Sequence, residues 1–134
     1  MLARGGALSP YSGLGSTHTA LLDRLKLGII EGYELGNVHE YSFSRNPIKR
    51  IWRRWKSGPS QVNSLANSHD ITHITDQEQA GLVPGSGKSV VTVHDLFHLF
   101  PTERSGVKIG DFKPSVIRKR DLKKIKSGIS RADL

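Results

Sequence analysis

Leu21, Leu22 and Leu25 share one face at helical spacing, which predicts a helix over residues 16–27 with Ser16 as its cap. Residues 38–43 alternate apolar and polar positions before Asn46-Pro47, the pattern of a half-buried strand. Ile48, Ile51, Trp52 and Trp55 then return to helical spacing as an apolar stripe. A short β-rich run follows over residues 70–75, then a helical turn over 77–82. Residues 88–93 contain Ser-Val-Val-Thr-Val, the strongest strand pattern of the chain. Pro114 opens a last helix, with Ile117, Leu122 and Ile125 inward and Gly128 as its stop. Strands alternating with helices predict an α/β domain with a parallel sheet. The first ten residues carry little pattern: residues 2–8 contain two glycines and no β-branched residue, so a first strand there is weakly specified.

At 134 residues the chain is long enough for one domain with a real core, and its 36% hydrophobic and 24% charged residues are ordinary for a globular protein. With no cysteine, disulfides and thiolate chemistry are excluded. The first residues lack the apolar core of a signal peptide, and no run approaches the roughly 18 apolar residues of a membrane span, which leads us to expect a cytoplasmic protein. The net charge of +8 is concentrated in two places: residues 45–56 hold six basic residues and no acid, and residues 104–131 hold ten. Such surfaces attract phosphates, whether of nucleotides, lipids or nucleic acids.

Ligands of parallel α/β sheets bind beyond the carboxyl ends of the strands. That rule selects the loop Gly13-Leu14-Gly15, the pair Thr75-Asp76 and the pair His94-Asp95. The first resembles a dinucleotide fingerprint with His18 in place of the third glycine. Its glycines permit close backbone approach, and the following helix aims its positive end at a phosphate. Residues 81–89 mimic a P-loop, but their spacing is one residue too long and they precede a strand rather than follow one. His94 and His98 have the i, i+4 spacing of a metal pair, yet no third ligand accompanies them, and no metal site is assigned. The cluster Arg50, Trp52, Arg53, Arg54 and Trp55 reads equally as a membrane-interface or polyanion patch and as a core-facing helix with a basic outer side.

The strings His73-Ile74-Thr75-Asp76-Gln77 and Val91-Thr92-Val93-His94-Asp95-Leu96 resemble the amino-terminal domain of glycosyltransferase family 4, retaining enzymes of the GT-B fold. The glycine segment before a helix, the two strand ends and the basic helix running into Ser130-Arg131-Ala132-Asp133-Leu134 agree in order and spacing. The resemblance implies that residues 1–134 form one such domain, Rossmann-like and three-layered around a parallel sheet, the half of a GT-B enzyme without the carboxyl-terminal donor-binding domain. It implies that Gly13, Leu14 and Gly15 approach the donor diphosphate, that His94 faces the transferred sugar as the catalytic group, and that Asp95, Asp76 and His18 contact the acceptor. It implies no cofactor, the nucleotide sugar being a substrate of the full enzyme, and a glycan or lipid-linked acceptor as the other partner. The glutamate pair of the family's second domain is missing, so the isolated chain is expected to transfer no sugar. The alternative is a non-catalytic basic module for polyanions or an anionic membrane surface; for nucleic acid no recognised RNA or DNA motif is found.

Overall fold

The computed structural model describes residues 1–5, 11–41 and 44–134. Its centre is a four-stranded, wholly parallel sheet in the order β2-β1-β3-β4, with β1 at Leu2–Ala3, β2 at Val38–His39, β3 at Ile71–Ile74 and β4 at Lys88–Val91. The expected mixed α/β architecture with a parallel sheet is therefore present. The expected strand over residues 38–43 is shorter, and Ser42 and Phe43 lie outside the described residues, as do residues 6–8 of the weak first segment.

The unpromising amino terminus supplies a central strand. Leu2 and Ala3 are wholly buried, Ala3 within the main core. Hydrogen bonds lock the segment from both sides: Leu2 N to Asn37 O at 2.9 Å and Arg4 N to His39 O at 3.0 Å on one edge, His73 N to Met1 O at 2.9 Å and Thr75 N to Ala3 O at 3.2 Å on the other. The terminal ammonium donates to Ile71 O at 2.7 Å. Pairing on two edges supplies what intrinsic strand propensity does not.

Helix α1, Gly13–Lys26, starts earlier than its leucine pattern suggests because Ser12, not Ser16, caps it, the Ser12 hydroxyl accepting from Gly15 N at 3.1 Å. The Ser16 hydroxyl instead donates to Gly13 O at 3.0 Å inside the first turn. Gly13-Leu14-Gly15 is thus the first turn of a helix and not a loop. The Leu21 and Leu25 side of α1 stands over the sheet face of Leu2, His73 and Val90, leaving between them a groove of about 880 Å³ open toward the amino ends of the strands.

The opposite face, with Ala3, Ile74 and Val91, carries the main core. Over it runs one long helical stretch made of α2 at Pro47–Trp52, a widened π turn at Arg53–Ser57 and α3 at Gly58–Ala66. Asn46 caps its start, its side chain accepting from Ile48 N at 2.9 Å and Lys49 N at 3.2 Å, with Pro47 in the first helical position. Pro59 has no N–H to continue the ladder, which accounts for the widened turn just before it. Val62 of α3, Ala80 and Leu82 of the 3₁₀ helix Gln77–Leu82, and Ile125 of the last helix, α4 at Val116–Arg131, complete this core.

Helix α4, Val116–Arg131, is capped by Ser115 and runs through Gly128, which was expected to end it. Gly128 is buried because α4 crosses the 3₁₀ helix there in direct backbone contact: a Cβ on Gly128 would overlap the carbonyl of Ala80. Ile125 is inward as expected and Leu122 packs beside the core, but Ile117 is more than half exposed, because the first turn of α4 overhangs the sheet. After α4 the chain turns back along β4. Asp133 N donates to Ser89 O at 2.9 Å and Val91 N to Leu134 O at 2.8 Å, the register of a parallel neighbour. An element absent from the sequence pattern is an antiparallel hairpin of β5, Thr102–Arg104, and β6, Val107–Ile109, turned through Ser105 and Gly106, both at positive φ. Among the described residues no helix is long and apolar enough to cross a membrane.

Candidate functional site

Because all four strands are parallel, their carboxyl ends bring the segments after β1, β2, β3 and β4 to one edge of the sheet. Thr75, just after β3, is the hub. Its hydroxyl lies 2.7 Å from His18 Nδ1, and its carbonyl oxygen lies 3.3 Å from His94 Nε2. One residue thereby joins α1, β3 and the segment after β4. The pairs Thr75-Asp76 and His94-Asp95 follow the neighbouring strands β3 and β4, and α1, which opens with Gly13-Leu14-Gly15, is tied to them through His18.

His18, one turn into α1, is 3% exposed. Burial in the first place, and the nearby Arg4 guanidinium in the second, hold its pKa below the ordinary value against the opposing pull of Glu40. A neutral ring takes the Thr75 hydroxyl hydrogen at Nδ1 and turns Nε2–H toward Glu40 Oε1, 2.9 Å away, although the angle is poor for a hydrogen bond. Arg4, the residue after β1, is itself buried at 6% exposed. Its Nε stands 3.2 Å from Glu40 Oε1, an ion-pair distance without hydrogen-bond alignment, and its Nη1 meets no acceptor among the described residues. A cation so placed is costly unless an anion faces it. His18 is therefore an internal strut between Thr75 and Glu40, a more enclosed position than that of an acceptor contact.

His94, by contrast, is exposed. Its backbone N–H donates to Gln77 Oε1 at 3.0 Å, and its ring is steered by the Thr75 carbonyl. A carbonyl only accepts, so Nε2 carries a proton and donates it to Thr75. Asp76 is buried, and its carboxylate accepts from Glu78 N at 2.9 Å as the cap of the 3₁₀ helix. Burial raises its pKa, partly offset by that backbone hydrogen bond. Asp95 accepts from Phe97 N at 3.2 Å and shapes the turn after β4. Both aspartates thus have local structural partners. Gly13 and Leu14 offer their amides at the positive end of α1, while the amide of Gly15 is already held by Ser12.

No known protein family, curated protein or solved structure matches this chain. The site is therefore read from its own chemistry. Sequence reasoning missed Arg4, Glu40 and Gln77. The first two are the residues that follow β1 and β2, and the carboxyl-end rule would have found them had β1 been recognised.

The basic cluster of residues 50–55 divides in two. Trp52 remains half exposed, and Arg50 is exposed. Arg54 is turned inward: Nε and Nη2 donate to the two oxygens of Asp121 at 2.7 and 2.9 Å, and Nη2 also to Glu78 O at 2.6 Å. Trp55 Nε1 donates to the same carboxylate at 3.0 Å, and Arg120 lies over the Trp55 ring at 5.1 Å. Arg53, in the same π turn, is half-buried. Arg54 and Trp55 therefore tie the long helix to α4, and the single patch expected over Arg50, Trp52, Arg53, Arg54 and Trp55 is not one continuous surface.

Three histidines share a lowered pKa. For His18 and His39 burial is the main cause, opposed by Glu40; for His73 burial is joined by His18 and the terminal ammonium. Each binds a proton more readily in the unfolded chain, so stability rises with pH and is lost as pH falls through the unfolded value of about 6.5. Thermal unfolding followed by circular dichroism should show a midpoint that falls steadily from pH 7.5 to pH 5.5. A flat profile over that interval would contradict the buried, neutral state of these rings.

Proposed function

We propose that this chain is the acceptor-side, amino-terminal half of a retaining GT-B glycosyltransferase similar to family 4. The observation that carries the reading is the meeting, through Thr75, of His18 of α1 and His94 at the carboxyl end of a parallel sheet. A departing nucleoside diphosphate needs positive potential without bulk. The amides and dipole of α1 at Gly13 and Leu14, with the buried Arg4 guanidinium at the end of the adjacent strand, supply it. The sugar undergoing transfer develops positive charge, which favours a polar lining, and His94 at this end of the sheet would face it. The Thr75 carbonyl fixes the ring so that it is held in place before the sugar arrives. The position of Asp133 and Leu134 along β4 supports a sheet of the doubly wound kind.

Half of a cleft binds weakly and does not turn over. Titration with uridine and guanosine diphosphates and their sugar conjugates, followed by NMR, is expected to show weak binding, no sugar transfer, and a binding loss of about tenfold in His94→Ala for the sugar conjugates. Transfer by the isolated chain, or failure to bind any of these ligands, would overturn the reading.

A further inference from the structure

We propose that the β5–β6 hairpin and the overhanging start of α4 form a docking surface for an anionic lipid bilayer. The inference is independent of the glycosyltransferase reading, since it rests on a surface that the site does not use. Four large apolar side chains stand in water on this segment: Phe100 at 61%, Val107 at 61%, Phe112 at 43% and Val116 at 84% exposed. Single exposed apolar residues are ordinary, but these fall within seventeen positions of one another along a segment held together by its own contacts.

Several contacts make the segment one surface. Lys108 Nζ lies 5.7 Å from the centre of the Phe112 ring, joining β6 to the approach of α4. Gly110 packs on the carbonyl of Phe97 so closely that a Cβ there would overlap it, joining the hairpin to the residues before it. Asp111 accepts from Arg118 Nε at 2.7 Å and lies 3.3 Å from His98 Nδ1, pinning both to the first turns of α4. The aromatic and aliphatic groups are therefore presented by a braced platform.

The charge of the platform names the partner. Lys119, Lys123 and Lys126 are exposed and form a stripe on the outer side of α4, where the only acid, Asp121, is buried against Arg54 and Trp55. A stripe of lysines beside exposed phenylalanine and valine matches an interface with anionic headgroups above an apolar phase. A polyanion in water would satisfy the lysines and leave Phe100, Val107 and Val116 where they are. The apolar half of the surface therefore favours a bilayer over nucleic acid.

Co-sedimentation of the full chain with vesicles of phosphatidylcholine and phosphatidylglycerol, against phosphatidylcholine alone, tests this at about 150 mM salt. Binding is expected only to the anionic vesicles. Phe100→Ser combined with Val116→Ser, and separately Lys119→Glu combined with Lys123→Glu, should each weaken it by about tenfold or more, with an unchanged melting temperature. Trp52→Ala should bind as the parent does, placing the contact here and not on the stripe of α2. No binding to anionic vesicles would overturn the proposal. So would a serine pair that binds like the parent, because the attraction would then be to charge alone, as for any polyanion.

Discussion

Asp121→Asn is expected to cost the fold about 3 kcal/mol and to lower the melting temperature by about 10 °C. The carboxylate is buried and receives four donors: Arg54 Nε at 2.7 Å and Trp55 Nε1 at 3.0 Å on one oxygen, Arg54 Nη2 at 2.9 Å and Arg118 Nη1 at 3.0 Å on the other. Burial alone would push its pKa up, but the hydrogen bonds and charge of Arg54, followed by Trp55 and Arg118, outweigh it and hold the group below the ordinary carboxylate range. Asparagine keeps the shape and removes the charge, turning an NH₂ toward at least one guanidinium. Two arginines then lose their shared counter-charge, with Glu78 and Asp111 left to hold Arg118. A group whose folded pKa is depressed contributes stability above its unfolded value of 3.8, and that contribution is lost as pH falls through the folded value. The gap between parent and variant should therefore be full at pH 7 and narrow below about pH 4. Urea unfolding at both pH values checks it; a pH-independent gap would mean that shape, not charge, holds this junction.

A second large effect is expected at Gly128. Alanine is the better helix former by about 1 kcal/mol, and on an exposed helix it would stabilise. Here its Cβ would overlap the carbonyl of Ala80, a backbone atom of the 3₁₀ helix that cannot swing aside. Helix α4 must lift from the core at the point where Ile125 is seated, and we expect Gly128→Ala to destabilise by about 3 kcal/mol. Gly13→Ala is the matched control. A Cβ there meets nothing within 4 Å, so stability should be unchanged or slightly raised. Chemical unfolding of the two variants side by side is the measurement, and equal behaviour would refute the close crossing of α4 over the 3₁₀ helix.

The fold was legible where a strand or helix is long enough to show its period. Residues 88–91 and 71–74 announced themselves as strands, and the 3₁₀ helix over 77–82 and α4 were expected near their true positions. Strand β1 was obscured because two residues carry no alternation; its order comes from hydrogen bonds to residues 35 and 70 to 72 positions away that a local pattern does not contain. Gly128 was misread for the opposite reason, since glycine at a helix end and glycine at a close crossing look alike in sequence. The same limits shaped the site. His94 and Thr75 were found from strand ends that could be recognised, whereas Arg4 and Glu40 follow strands of two residues each. Arg54 and Trp55 were counted with a surface because helical spacing gives a face but not its partner, and Asp121, the partner, lies 67 positions further on.

Ligands of this chain are expected to bind at the carboxyl end of the parallel sheet. The amide ¹H–¹⁵N map of the full chain during the titration with nucleoside diphosphates and their sugar conjugates shows directly where they bind. Shifts are expected to cluster on Gly13, Leu14, Gly15, Thr75 and His94, with the sugar conjugates adding to the effect at His94. Shifts confined to the lysines of α4, or to the groove under α1 around Leu21 and His73, would contradict it.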